Sequence, residues 1–143
     1  MARERVLLVD DEKDFTEILA ERLRNRDMDV DTADSGVKAI EMVDNKYYDA
    51  IILDLAMPGI DGLETLRRIL SENPDQQVVF LTGYASVPKS VEAIKHGAVE
   101  FLEKPANINQ LVQMVRDAQL KKAELFEKRM EESIDHLKKN KGW

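Results

Sequence analysis

The chain has no cysteine, a single tryptophan within an aromatic content of 6%, and only 4 prolines and 6 glycines in 143 residues. Without thiols it has no disulfide, no thiolate metal site and no cysteine nucleophile, which fits a reducing compartment. No run approaches the roughly 20 apolar residues of a membrane span. The opening Met-Ala-Arg-Glu-Arg lacks the apolar centre of a secretory leader. The expectation is a cytoplasmic protein with no membrane contact. Positive charge is also short: the net charge is −7, and residues 1–117 hold 14 Lys/Arg against 23 Asp/Glu, while residues 118–143 hold 7 against 5. An acidic body argues against direct nucleic-acid binding, and the tail's small basic excess is too weak for a nucleic-acid arm.

With 43% hydrophobic and 34% charged residues, the composition is globular and sufficient for one folded domain. Short apolar or β-branched runs at 6–9, 28–33, 50–53, 78–81 and 99–102 predict strands. Between them lie helical stripes: Phe15, Ile18, Leu19 and Leu23; Val37, Ile40 and Val43; Leu63, Leu66 and Leu70; Val87, Val91 and Ile94. Ser35 and Ser86 stand where helix N-caps belong, and Gly97 where a helix ends with positive φ. Strict alternation of strand and helix predicts an α/β, doubly wound, five-stranded parallel sheet. Strands one, three and four are continuously apolar and therefore central; Met28-Asp29-Val30-Asp31-Thr32 and Val99-Glu100-Phe101 are broken by charge and therefore lie at the edges. Right-handed crossovers then give the order 2-1-3-4-5, with a topological switch point beyond the carboxyl ends of strands one and three.

Those carboxyl ends carry Asp10 and Asp11 on one strand and Asp54 on the other. Converging carboxylates must either keep protons at raised pKa or recruit a cation, and all-oxygen ligands suit a hard ion such as Mg2+. Thr82 follows the fourth strand and Lys104 the fifth, adding a hydroxyl donor and an ammonium of the kind that phosphoryl binding needs. Each residue alone has a plain structural reading. Asp54 could cap the next loop, Asp10-Asp11 could favour a helix N-terminus, Thr82 could belong to a turn before Gly83, and Lys104 could pair with Glu103 in solvent. None of these readings explains why four strand ends aim at one place. His96 and His136 read as surface helix residues.

The motifs Leu-Leu-Val-Asp-Asp, Leu-Asp-Leu-Ala-Met-Pro-Gly-Ile-Asp-Gly, Phe-Leu-Thr-Gly and Phe-Leu-Glu-Lys-Pro together resemble a response-regulator receiver domain of bacterial two-component signalling, with its flavodoxin-like (CheY-like) fold. The resemblance covers residues 4–120, leaving 121–143 as a helical extension. It implies that Asp54 accepts a phosphoryl group from a histidine kinase or phosphotransfer protein, so that the chain is a self-phosphorylating regulator with slow autodephosphorylation rather than an enzyme. It further implies that Asp11, Asp54 and the backbone carbonyl of Ala56 ligate Mg2+ while Asp10 acts mainly through water. Lys104 and Thr82 would contact the phosphoryl oxygens, Thr82 and Phe101 would switch conformation, and the Lys104-Pro105 peptide would be cis. Ala56 and Tyr84 stand where the best-known chemotaxis members carry polar side chains, which suggests a longer-lived phosphoryl group.

From Asn107, which with Gln110 suits a cap, no Gly or Pro interrupts the chain until Gly142, so one helix to about residue 139 would run roughly 50 Å, longer than the sheet can cover. Ile108, Leu111, Val112 and Val115 suit the sheet; Phe126, Met130, Ile134 and Leu137 form a thinner second stripe that leaves a homodimer and a simple extension both open. With no output domain read after the receiver in this sequence, the expectation is that the signal passes to a downstream protein effector or that the chain is an excised piece. A Mg2+-dependent phosphatase with an Asp nucleophile is disfavoured because Asp10-Asp11-Glu12-Lys13 lacks its paired-aspartate spacing; a pseudo-receiver is disfavoured by the complete site.

Overall fold

The computed structural model describes residues 3–83 and 86–140. Five strands, β1 (Arg5–Val9), β2 (Asp29–Ala33), β3 (Ala50–Leu53), β4 (Val78–Thr82) and β5 (Glu100–Glu103), alternate with α1 (Lys13–Arg24), α2 (Gly36–Asn45), α3 (Gly62–Glu72), α4 (Val87–Lys95) and α5 (Ile108–Asn140). All strand pairs are parallel and the sheet order is β2-β1-β3-β4-β5, as expected. Strand geometry alternates side chains between the two faces, which splits the core in two. Val6, Leu8, Ile52 and Leu81 pack with α1 and α5 on one face; Leu7, Val9, Ile51, Leu53 and Phe80 pack with α2, α3 and α4 on the other. β1, β3 and β4 are buried on both faces apart from Arg5, whereas β2 and β5 alternate or stay partly open, in keeping with their edge positions.

The helix ends follow local chemistry. Ser35 accepts from the Lys38 N–H at 3.2 Å, Ser86 from Lys89 at 3.3 Å and Asn107 from Gln110 at 3.0 Å. Gly97 adopts φ +106, a conformation in which a side chain would also strike Leu70 at 2.6 Å.

The stripes fall on helices as read, but part of them lies in solvent. Ile18 and Val37 are exposed, and α4 turns Val87, Val91 and Ile94 outward, with Val87 76% exposed; its buried residue is Ala93. Helical periodicity identifies an amphipathic face but not what covers it. On α4 the small Ala93 allows close approach to the sheet while the branched residues remain in solvent.

α5 runs 33 residues, and its burial ends at Lys122 rather than at an apolar side chain. The Lys122 ammonium donates to the Tyr48 carbonyl at 2.7 Å and to Gln76 Oε1 at 2.8 Å, and lies 3.8 Å from the Tyr47 ring centroid. Two turns further on, Arg129 grips Asp75 through both Nε and a terminal nitrogen. These two contacts tie the start of the extension to the amino-terminal edge of the sheet, opposite the acidic strand ends. Phe126, Met130, Ile134 and Leu137 are exposed.

Burial pushes the Lys122 ammonium down to about 8 from 10.5, against the charges of Asp49 and Asp75, which favour protonation. Between those values the unfolded chain holds a proton that the folded chain lacks, so stability rises with pH. Urea unfolding should show this as a gain of up to about 1.4 kcal/mol per pH unit from pH 8 toward 10. Lys122→Met should flatten it. Above pH 10 the raised hydroxyls of Tyr47 and Tyr48 work in the opposite direction.

Candidate functional site

Each strand end of the switch-point crevice is stitched to its neighbour by one further backbone bond. The Asp10 N–H donates to the Ala33 carbonyl at 3.1 Å, that of Asp54 to Val9 at 2.9 Å, and that of Lys104 to Thr82 at 2.9 Å. Sheet register therefore places Asp10, Asp54, Thr82 and Lys104 along one edge. Asp10 and Asp54 are each only 3% exposed, and Thr82 is wholly buried.

Burial raises the Asp54 pKa first and the Asp10 charge raises it further; a Thr82 side-chain hydrogen bond, the Lys104 charge and the Leu55 N–H pull it down without cancelling the rise. Among the described residues, Asp54 Oδ1 is a buried carboxylate oxygen with no hydrogen-bond partner, which costs free energy unless a ligand supplies what is missing. Lys104 Nζ sits 2.7 Å from Asp10 Oδ2 and 3.0 Å from Glu12 Oε1, over the Phe15 ring at 4.1 Å. Burial opposes its charge, but the bonds to Asp10 and Glu12 and the charges of Asp10 and Asp54 win, and its pKa rises.

Carboxylate oxygens of Asp10, Glu12 and Asp54 all lie within 4.8 Å of one another. Asp11 is exposed and outside that group, and Ala56 is exposed on the loop after β3. Three acids against one ammonium, all-oxygen donors and an orphaned buried oxygen fit a hard divalent cation. Phe101 is half-buried, its ring centroid 5.9 Å from that of Phe80, and the Lys104-Pro105 peptide is cis. Tyr84 lies outside the described residues.

Glu12 and Phe15 were not legible as site residues. Glu12 reads in sequence as one more acid at a helix start; its place beside Lys104 depends on a contact across 92 residues. Gly62 was missed as well. It opens α3 directly over the end of β3, where a Cβ would lie 2.4 Å from the Asp54 carbonyl oxygen and 2.8 Å from Leu55 Cα. Asp61 caps the same helix by accepting from the Glu64 N–H at 2.9 Å.

The family described as response regulator receiver domain matches residues 6–116. The chain belongs to this family. It is 33% identical over 124 residues, 87% of its length, to the C4-dicarboxylate transport transcriptional regulatory protein DctD of Rhizobium meliloti (strain 1021), and 39% identical over 106 residues, 74% of its length, to the transcriptional regulatory protein ZraR of Klebsiella oxytoca. It spans 27% and 24% of those relatives. A response regulator receiver domain protein from Clostridium thermocellum superposes with TM-score 0.81 at 28% identity, covering 85% of this chain and 98% of that one. A response regulator from Burkholderia pseudomallei, crystallised with a phosphorylated aspartic acid, calcium ion and citrate, gives TM-score 0.74 at 29% identity, covering 92% of this chain and 74% of that one. The receiver thus belongs to two-component signalling, and no helix among its described residues is long and apolar enough to cross a membrane.

Two stability effects follow from this geometry. Because the folded receiver raises the Asp54 pKa, it binds more protons than the unfolded chain above the ordinary value of 3.8, and folding is penalised there. Thermal melts of Asp54→Asn in metal-free buffer should therefore show higher stability than wild type at pH 7, with the gain shrinking as pH falls toward 4. Gly62→Ala should lose about 1–3 kcal/mol in chemical denaturation, the usual range for overpacking against a fixed backbone.

Proposed function

We propose that the receiver takes a phosphoryl group onto Asp54 from the phosphohistidine of a kinase or phosphotransfer protein. The reading is carried by Asp54 Oδ1, buried and without a hydrogen-bond partner among the described residues, at the meeting of four strand ends. In the transfer, a carboxylate oxygen forms a bond to phosphorus as the N–P bond breaks, the electron pair returns to the imidazole, and an acyl phosphate remains on Asp54. The transition state of such transfers is loose, so positioning and charge neutralisation carry the catalysis. Thr82 and the backbone N–H near Gly83 donate to phosphoryl oxygens, and Lys104 balances their charge. Asp10, Asp11, Asp54 and the Ala56 carbonyl are the donors that would hold Mg2+. When bound, the ion neutralises oxygen charge on the acids and the phosphoryl group. The phosphorylated aspartate and calcium ion of the Burkholderia pseudomallei relative support this reading.

The group is a mixed anhydride that water hydrolyses, so the receiver is a self-phosphorylating regulator rather than a turnover enzyme. Ala56, whose side chain has no polar group to orient water, and Tyr84 are the positions that set the lifetime. Movement of Thr82 toward the phosphoryl group and of Phe101 inward is the two-state element. Its readout is a protein effector at the face formed by α4, β5 and α5, where Val87, Val91, Ile94, Val99 and Leu120 stand exposed. The extension past residue 120 is a candidate self-association element, and the acidic body disfavours nucleic acid as a direct partner.

Intact mass after incubation with acetyl phosphate should show one added phosphoryl group that requires Mg2+ and is absent in Asp54→Asn. No gain by a folded wild-type protein would leave a docking module as the better reading. Ala56→Asn with Tyr84→Glu should hasten decay of the phosphorylated form.

A further inference from the structure

Glu12 has no part in the transfer just described, yet it holds one of the two ion pairs of the cation that the transfer needs. Its backbone N–H donates to Asp10 Oδ1 at 2.9 Å, so the residue is fixed to the buried acid beside it. Its side chain reaches over the rim to Lys104 Nζ at 3.0 Å, while Asp10 holds the same nitrogen at 2.7 Å from below. The Lys104 backbone is anchored by its N–H to Thr82, so the ammonium moves only by swinging its stem. Two of the three ammonium donors are engaged by these acids, and a shift of the ammonium toward oxygens carried on Asp54 draws it away from the rim where Glu12 stands.

The two bonds are not equally easy to break. Asp10 is buried and would be left as an uncompensated charge, which is costly. The Glu12 side chain is 61% exposed and water can re-solvate it at once. We propose that Glu12 is a positioning residue: a perch that keeps the Lys104 ammonium at the rim in the unphosphorylated receiver and is vacated when Lys104 turns to the phosphoryl oxygens. This rests on the phosphoacceptor reading. The perch stabilises only the starting state, so it slows phosphorylation. An exposed ion pair of this kind sets the scale at about two- to five-fold.

Two variants separate contact from charge. Glu12→Gln removes the charge; Glu12→Asp keeps it but is one methylene too short for the 3.0 Å contact. With acetyl phosphate and saturating Mg2+, both variants should be phosphorylated about two- to five-fold faster than wild type. A faster Gln variant with an Asp variant matching wild type would mean that Glu12 acts only by repelling the anionic donor, and the perch would be overturned. Slower phosphorylation of Glu12→Gln at low Mg2+, restored by excess, would make Glu12 a metal ligand instead and also overturn it. A second readout needs no phosphorylation: in metal-free protein, proton exchange of the Lys104 ammonium followed by NMR should be several-fold faster in both variants than in wild type. Unchanged exchange would show that Glu12 does not hold Lys104. If wild type takes no phosphoryl group while the exchange result holds, the phosphoacceptor reading fails and the Glu12–Lys104 contact stands.

Discussion

The meeting of Asp10 and Asp54 at the ends of adjacent central strands is the constraint on which the remaining site depends. The acids face each other because β1 and β3 pair in parallel register, Val9 opposite Leu53, and each strand then runs one residue further. Neither can move away without breaking its backbone bond to the neighbouring strand. Their repulsion is therefore built into the sheet, and only a cation or a proton relieves it. Lys104 supplies part of the relief by lying against Asp10, which leaves Asp54 with a raised pKa and an unpartnered oxygen. A resting protein with such a deficit is prepared to accept positive charge.

Much of this was legible in the sequence for a specific reason. Parallel strands buried on both faces leave continuous apolar runs, and the residue ending such a run must sit at the sheet's carboxyl edge. Asp10, Asp54 and Thr82 could therefore be placed from β1, β3 and β4 alone, and Lys104 follows the charge-broken β5 by the alternation of strand and helix. Side chains whose role comes from contacts between elements could not. Glu12 meets Lys104 only after the ends of β1 and β5 are brought to one edge, and Gly62 matters only because α3 begins against the backbone of Asp54. On α4 the periodicity was clear but what covers its apolar face was not, since an exposed apolar stripe looks the same in sequence as a buried one.

The far edge of the sheet shows a different arrangement. There a buried lysine and an arginine bonded twice to Asp75 hold the middle of a long helix, where a larger apolar contact would ordinarily serve. Polar contacts of this geometry fix direction and register more than they add stability. Past Lys122 the helix presents Phe126, Met130, Ile134 and Leu137 to solvent. One end of the fold thus carries the charge deficit, and the other carries the helix that departs from it.

The charge deficit itself is best tested by the dependence of unfolding free energy on Mg2+ concentration, comparing wild type with the Asp10→Asn, Asp54→Asn double variant. A ligand that binds only the folded state stabilises it by about 1.4 kcal/mol for each tenfold rise above its dissociation constant. Wild type should follow that slope and the double variant should stay flat. A flat wild-type curve, or the same slope in both proteins, would contradict a pocket made by converging carboxylates that lacks a cation.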